Sequence, residues 1–170
     1  MDRIFEGDPA PEECFEELVS IKSENAIGAT GKQRLVPWLR KNSARHGDYL
    51  VVISDPRPQS PELRDTINAM VRDLPLDIRS RMVIVNADSP AENRRWLKKS
   101  GISDDKLEVF SDEKMEWMQA YTALGENRWS MTMFVLREGK VGKLARELDQ
   151  YGASRTVRNA VKALAEERRL

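Results

Sequence analysis

Apolar residues follow two rhythms along this chain, and the changes of rhythm mark its elements. Leu50 to Ile53 is continuously apolar and β-branched, which predicts a strand covered on both faces. Beyond the loop Asp55–Gln59, the residues Leu63, Ile67, Met70, Val71 and Leu74 recur at helical spacing. Ser60 can cap that helix, Pro61 suits its first position, and Glu62 favours the positive end of its dipole. Arg81 to Ala87 predicts a second buried strand. Ser89-Pro90-Ala91-Glu92 has a capping-box pattern and opens a helix through Lys99, ended by Gly101. Lys106 to Phe110 reads as a short strand. Ser111 then opens a helix carrying Met115, Met118 and Tyr121, with Trp117 on its flank. Ser130–Leu136 and Lys140–Leu144 flank Arg137-Glu138-Gly139, a hairpin turn in which the glycine takes positive φ. Ala153–Arg169 is the last amphipathic helix, with Val157, Val161 and Leu164 inward.

Upstream of the first strand the pattern is looser. Pro11–Lys22 predicts a short helix in the rhythm Cys14, Phe15, Leu18, Val19, and Ser23–Gly31 a loop. Gln33–Ala44 predicts a second helix with Leu35, Trp38 and Leu39 on one face and Pro37 confined to its first turn. Parallel strands joined by helical crossovers, then an antiparallel hairpin, make an α/β fold: a mixed sheet with helices on both faces. Residues 1–31 are expected to form an acidic helix-and-loop extension, and residues 32–170 the domain.

Composition narrows the function classes. A chain of 170 residues is one domain of ordinary size. Lys+Arg and Asp+Glu both number 28, so no net field favours nucleic acid or an anionic membrane. Acids crowd residues 1–17 and bases Lys32 to Arg45; both runs are expected to be solvated surface. One cysteine, Cys14, excludes an internal disulfide and a CxxC site, and its apolar rhythm suits a small core residue. No apolar run approaches a membrane span, and no signal peptide is visible. A domain separated from its targeting segment would look the same, so composition does not give localisation.

Catalytic constellations are sparse. His46 is the single histidine, expected in an exposed turn, and a zinc site is excluded. No cofactor motif occurs: Gly28-Ala-Thr-Gly31-Lys32 lacks the spacing of a phosphate loop and a preceding strand. Asp55 and Asp88, at predicted strand ends, could bind a divalent cation, but capping turns is the commoner use. Arg94-Arg95-Trp96 with Lys98-Lys99 has the make-up of a phosphate-and-stacking patch; on a helix, Trp96 would instead pack inward. Trp117, Met118, Trp129, Met131 and Met133 are mostly core by periodicity, and any left exposed would grip a partner.

The element order resembles that of the thioredoxin fold. Met82–Ile102 resembles its central strand and following helix, Leu107–Tyr121 the insertion found in peroxiredoxins, and Asn127–Met131 with Val135–Leu144 the peroxiredoxin hairpin. The resemblance implies a thioredoxin-like domain over roughly residues 48–168, with Arg128 matching the peroxiredoxin arginine. Those families carry a cysteine in the loop corresponding to Asp55–Ser60; here Ser60 is nearest to that position, and Met131 stands where thioredoxins place a cis-proline. A serine hydroxyl cannot act as a peroxide-reducing thiolate, so the expectation is a domain without oxidoreductase activity. Asp55, Pro56, Arg57, Pro58, Gln59 and Ser60, with Trp129, Ser130 and Met131, would then form a surface for protein partners. Among thioredoxin-like proteins lacking the dithiol, the chain is most similar to the plant family of regulator of chloroplast biogenesis and nuclear control of plastid polymerase activity. That resemblance implies chloroplast and nuclear localisation, partners in the plastid transcription machinery and nuclear light signalling, and a role in assembling the plastid-encoded RNA polymerase during greening. The alternatives are a thiol oxidoreductase or peroxidase acting through Cys14, and a nucleic-acid-binding module.

Overall fold

The computed structural model describes residues 3–21, 49–103, 107–121 and 130–169. Its strands are β1 (Val19–Ser20), β2 (Leu50–Asp55), β3 (Met82–Asn86), β4 (Glu108–Ser111), β5 (Thr132–Arg137) and β6 (Lys140–Ala145). Its helices are α1 (Pro61–Asp73), α2 (Leu76–Arg79), α3 (Pro90–Lys99), α4 (Glu116–Ala120) and α5 (Ala153–Arg169), after a 3-10 turn at Glu13–Glu17. One sheet runs in the order β1-β4-β3-β2-β5-β6. β2, β3 and β4 are parallel, β5 and β6 return antiparallel, and β1 pairs antiparallel with β4. This is the mixed α/β sheet that the apolar pattern predicts.

Each parallel strand is apolar on both faces because each face has its own core. Val51, Ile53, Met82, Ile84 and Val109 meet Leu63, Ile67 and Met70 of α1, Trp96 and Leu97 of α3, and Val157 and Leu164 of α5. Leu50, Val52, Val83, Val85 and Phe134 point the other way, against Phe15, Leu18, Trp117, Met118 and Tyr121. The second core is aromatic: Trp117 and Tyr121 stack at 4.4 Å, while Phe15 and Phe134 meet them edge-on at 5.2–5.9 Å. Offset and edge-on pairs of this kind add about 0.5–1.5 kcal/mol each beyond their buried area.

Several local expectations hold for their stated reasons. The Ser60 hydroxyl accepts the Leu63 N–H at 3.2 Å, and the Ser89 hydroxyl the Glu92 N–H at 3.1 Å. Gly101 (φ 72°) ends α3 while the Ile102 N–H reaches the Leu97 carbonyl at 2.9 Å. In the hairpin both Glu138 (φ 55°) and Gly139 (φ 75°) are left-handed, as a two-residue turn matched to sheet twist requires.

Two details differ. Within the predicted Pro11–Lys22 helix, the described residues 11–21 form no α-helix: after the 3-10 turn the chain extends at Leu18 and joins the sheet as β1. Phe15 and Leu18 are buried from a turn and an extended residue, so three-residue spacing imitated a helix. Ser111 does not start a helix but ends β4, and α4 begins at Glu116. The predicted Gln33–Ala44 helix lies outside the described residues. Residues 3–21 also reach both sheet edges: Gly7 N–H donates to the Val141 carbonyl at 2.7 Å beside β6, and β1 covers β4. No described helix is long and apolar enough to cross a membrane.

Candidate functional site

The corner between β2 and α1 is a polar loop built on two carboxylates, one ending β2 and one in the turn after β3. Asp55 is the last residue of β2 and is fully buried. Its carboxylate accepts the Arg57 backbone N–H at 3.0 Å and grips the same residue's guanidinium through Nε at 3.0 Å and an η-nitrogen at 2.8 Å. That η-nitrogen also contacts Glu62 Oε2 at 2.9 Å, in the first turn of α1. These bonds, to Asp55 first, raise the Arg57 pKa and keep it charged. The loop is thus clamped to both the strand that enters it and the helix that leaves it.

The second carboxylate comes from the turn that follows β3. Asp88 is 4 % exposed, and its Oδ1 accepts the Gln59 N–H at 2.9 Å. Gln59 sits at φ 51°, a left-handed conformation rarely taken by a residue with a side chain. Its side-chain amide donates to Glu92 Oε2 at 3.3 Å, so α3 also steadies the bend. Arg64 lies 3.9 Å from Asp88 Oδ2, with its guanidinium 5.5 Å from the Trp96 ring centroid. Burial, more than the neighbouring carboxylates, pushes the Asp88 carboxyl above its ordinary range.

Of the residues expected to form a partner surface, the loop presents Arg57, Pro58 and Gln59. Asp55, Pro56 and Ser60 are buried as its supports. Met131 is 1 % exposed in the helix-side core, its carbonyl accepting the Leu148 N–H at 2.9 Å. Half-buried Ser130 donates to the Arg146 carbonyl at 3.1 Å. Buried Ser54 and Thr132 share a 2.5 Å hydroxyl–hydroxyl bond that ties the ends of β2 and β5. Trp117, Met118 and Met133 are buried, so none supplies the apolar grip expected of an exposed one. Trp129, Arg128, His46 and Gly28–Lys32 lie outside the described residues.

The cation and nucleic-acid readings fare differently from their outlines. Asp55 and Asp88 are occupied as loop anchors, and among the described residues no three acidic, histidine or cysteine groups gather to hold a metal ion. Trp96 turns inward, 5 % exposed, and its indole N–H donates to Asn93 Oδ1 at 2.9 Å. That removes the stacking surface while Arg95, Lys98 and Lys99 line the outside of the helix.

Cys14 stands apart from the corner. It lies in the 3-10 turn against the aromatic core, with its thiol directed at the Pro11 carbonyl at 3.6 Å. The Tyr121 hydroxyl donates to the same carbonyl at 2.6 Å and pins this segment. Burial, reinforced by the charges of Asp112 and Glu13, pushes the thiol up to about 12. Asp112 in turn accepts the Trp117 and Met118 N–H groups at 3.3 and 3.0 Å and starts α4. The clamp and the Asp88 anchor were missed as a unit by sequence; the acid-then-arginine spacing Asp55–Arg57 is their one local signal.

Solved structures resemble this arrangement closely enough to show the fold. A cysteine-to-serine mutant of Xylella fastidiosa peroxiredoxin Q superposes with TM-score 0.70 at 16 % identity, covering 97 % of this chain and 99 % of that one. A peroxiredoxin-like protein from Aquifex aeolicus gives TM-score 0.61 at 20 % identity, over 96 % and 90 %. Xanthomonas campestris bacterioferritin comigratory protein, described for its alkyl peroxide reduction activity, gives 0.56 at 20 %, over 74 % and 83 %. No family model matches the chain, and no curated protein matches it. The fold is therefore thioredoxin-like, in the form shared with peroxiredoxins. These neighbours correct one expectation: the sulfur-free corner led to a protein without enzymatic activity, whereas the fold is shared with peroxiredoxin structures, one of them described for alkyl peroxide reduction.

Proposed function

We propose that this thioredoxin-like protein receives a segment of a partner protein on the corner loop Arg57–Gln59. The observation that carries this reading is Gln59: exposed, left-handed at φ 51°, and fixed by a buried carboxylate from the turn after β3. Backbone held in such a region costs about 1–3 kcal/mol and persists only where its surroundings over-determine it, most often at working surfaces. A loop already rigid loses little conformational freedom on binding. In the finer form of the proposal, which rests on the resemblance to the plant plastid regulators, the partners belong to the plastid transcription machinery and nuclear light signalling. The compartments are then the chloroplast and the nucleus. Replacing Pro58 and Gln59 together by alanine leaves the Arg57 clamp intact and is expected to abolish capture of plastid polymerase subunits from greening tissue, with thermal unfolding unchanged. Undiminished capture by that variant rejects the site.

The comparisons favour a second function over the plastid assignment: thiol peroxidase chemistry through Cys14. In that chemistry a thiolate attacks the peroxide, the O–O bond breaks, and sulfenic acid and water or an alcohol result. With its pKa near 12, the thiol is ionised to only about one part in 10⁵ at neutral pH. Turnover therefore requires residues 11–21 to open. Peroxide consumption by the wild type and by Cys14→Ser, with a dithiol reductant present, decides it: loss in the variant supports the peroxidase, and equal rates refute it.

A further inference from the structure

Beyond the Arg57 clamp, the left-handed bend of the corner loop is tied through its backbone to the buried Asp88 carboxylate, carried on the neighbouring β3–α3 turn. We propose that Asp88 is a proton-operated latch: its carboxylate holds Gln59 in the left-handed bend, and taking up a proton loosens that hold and lets the loop relax. The inference rests on the corner being the working surface and adds its regulation.

The geometry supplies each part. The strained element is Gln59 at φ 51°, and the tie is the 2.9 Å bond from its N–H to Asp88 Oδ1. A bond to an ionised acceptor is about twice as strong as one to a neutral acceptor, so protonation weakens the tie without removing any atom from it. The side-chain tie on Gln59 is weaker: it reaches Glu92 at 3.3 Å on an exposed edge.

Groups on every adjoining element bear on Asp88. From α1, Arg64 stands 3.9 Å from Oδ2 and favours the anion. From α3, Glu92 opposes it, and from β2, Asp55 does the same. The Arg57 charge is already engaged by Asp55 and Glu62. From β3, Asn86 Oδ1 accepts the Asp88 N–H at 3.1 Å and fixes the position of the carboxyl without choosing its charge. Burial adds the largest push toward the neutral form, and the net direction is upward. The latch consequently opens at a higher pH than an exposed aspartate would titrate.

Nuclear magnetic resonance of the free, full chain across roughly pH 4–8 tests this. The Gln59 amide proton is expected to lose its downfield shift on acidification, with the same midpoint as the Asp88 side-chain carboxyl carbon. Asp88→Asn keeps the shape and imitates the protonated state, so its Gln59 amide should rest at the acid-end shift at every pH. A Gln59 amide that does not move, or that still titrates in Asp88→Asn, overturns the latch. If that variant does not fold, the two wild-type midpoints decide: agreement supports the latch, disagreement overturns it. Partner capture that fails at every pH while the two midpoints agree counts against the binding function alone.

Discussion

At the corner, a helix N-terminus and two buried acids come together around a serine; beneath the opposite face, the one cysteine sits among aromatic rings without a helix to receive it. Ser60 caps the thirteen-residue helix α1, where the first N–H groups favour negative charge. Cys14 lies in a five-residue 3-10 turn, with its thiol on a carbonyl and carboxylates nearby. The same side chain would behave oppositely in the two places. Position in the fold, more than residue type, decides whether a thiol here can ionise.

The largest test breaks the Cys14 side. Trp117→Ala removes the ring that stacks on Tyr121 and meets Phe15 and Phe134. Denaturant unfolding should show a loss of about 3–5 kcal/mol. In native buffer the loosened core should also speed modification of Cys14 by an aromatic disulfide reagent. A loss under about 1 kcal/mol would mean the aromatic layer is not holding the segment over the thiol.

A transplanted thiol sharpens the contrast next. In a Cys14→Ser background, Ser60→Cys should be alkylated at neutral pH faster than wild-type Cys14 by on the order of 10² or more, because a helix N-terminus lowers a thiol pKa. Rates measured against pH give both midpoints, and equal midpoints would dissolve the distinction. Titration of Cys14 also has a thermodynamic sign. Its folded value, about 12, lies above the ordinary 9.0. The unfolded chain therefore loses the proton first, and stability present below pH 9 declines as pH rises toward 12. Cys14→Ser should flatten that decline in alkaline unfolding curves.

The smallest effects belong to the corner itself. Ser60→Ala removes the cap on α1 and should cost about 1 kcal/mol. Glu62→Gln touches a half-exposed partner of Arg57 and should cost about 0.5 kcal/mol or less. Both are read by urea unfolding. A larger cost from Glu62 than from Ser60 would mean that the ion pair, and not the cap, holds the corner.

Much of this layout was legible because it is local. The cap at Ser60, the stop at Gly101 and the turn at Glu138–Gly139 each follow from residues within four positions of one another. β1 was hidden because a two-residue strand has no period of its own; it exists by pairing with Ser111 and Phe110, about ninety residues away. Met131 was expected at the partner surface, and its burial depends on the helix-side core closing over it. The functional expectation failed for a related reason. A missing cysteine in one loop is a local fact, whereas the likeness of the fold to peroxiredoxin structures belongs to its topology.

Apolar rhythm and turn chemistry alone determined the α/β class, the parallel strands, the hairpin and the absence of a thiol at Ser60, since each depends on side-chain periodicity or a single residue. The tertiary structure alone decided that Asp88 meets Gln59 across twenty-nine positions, that Asp55 is buried under Arg57, and that Cys14 is shut beneath an aromatic layer. Charge and burial are properties of neighbours, and the neighbours that matter here come from separate strands and helices.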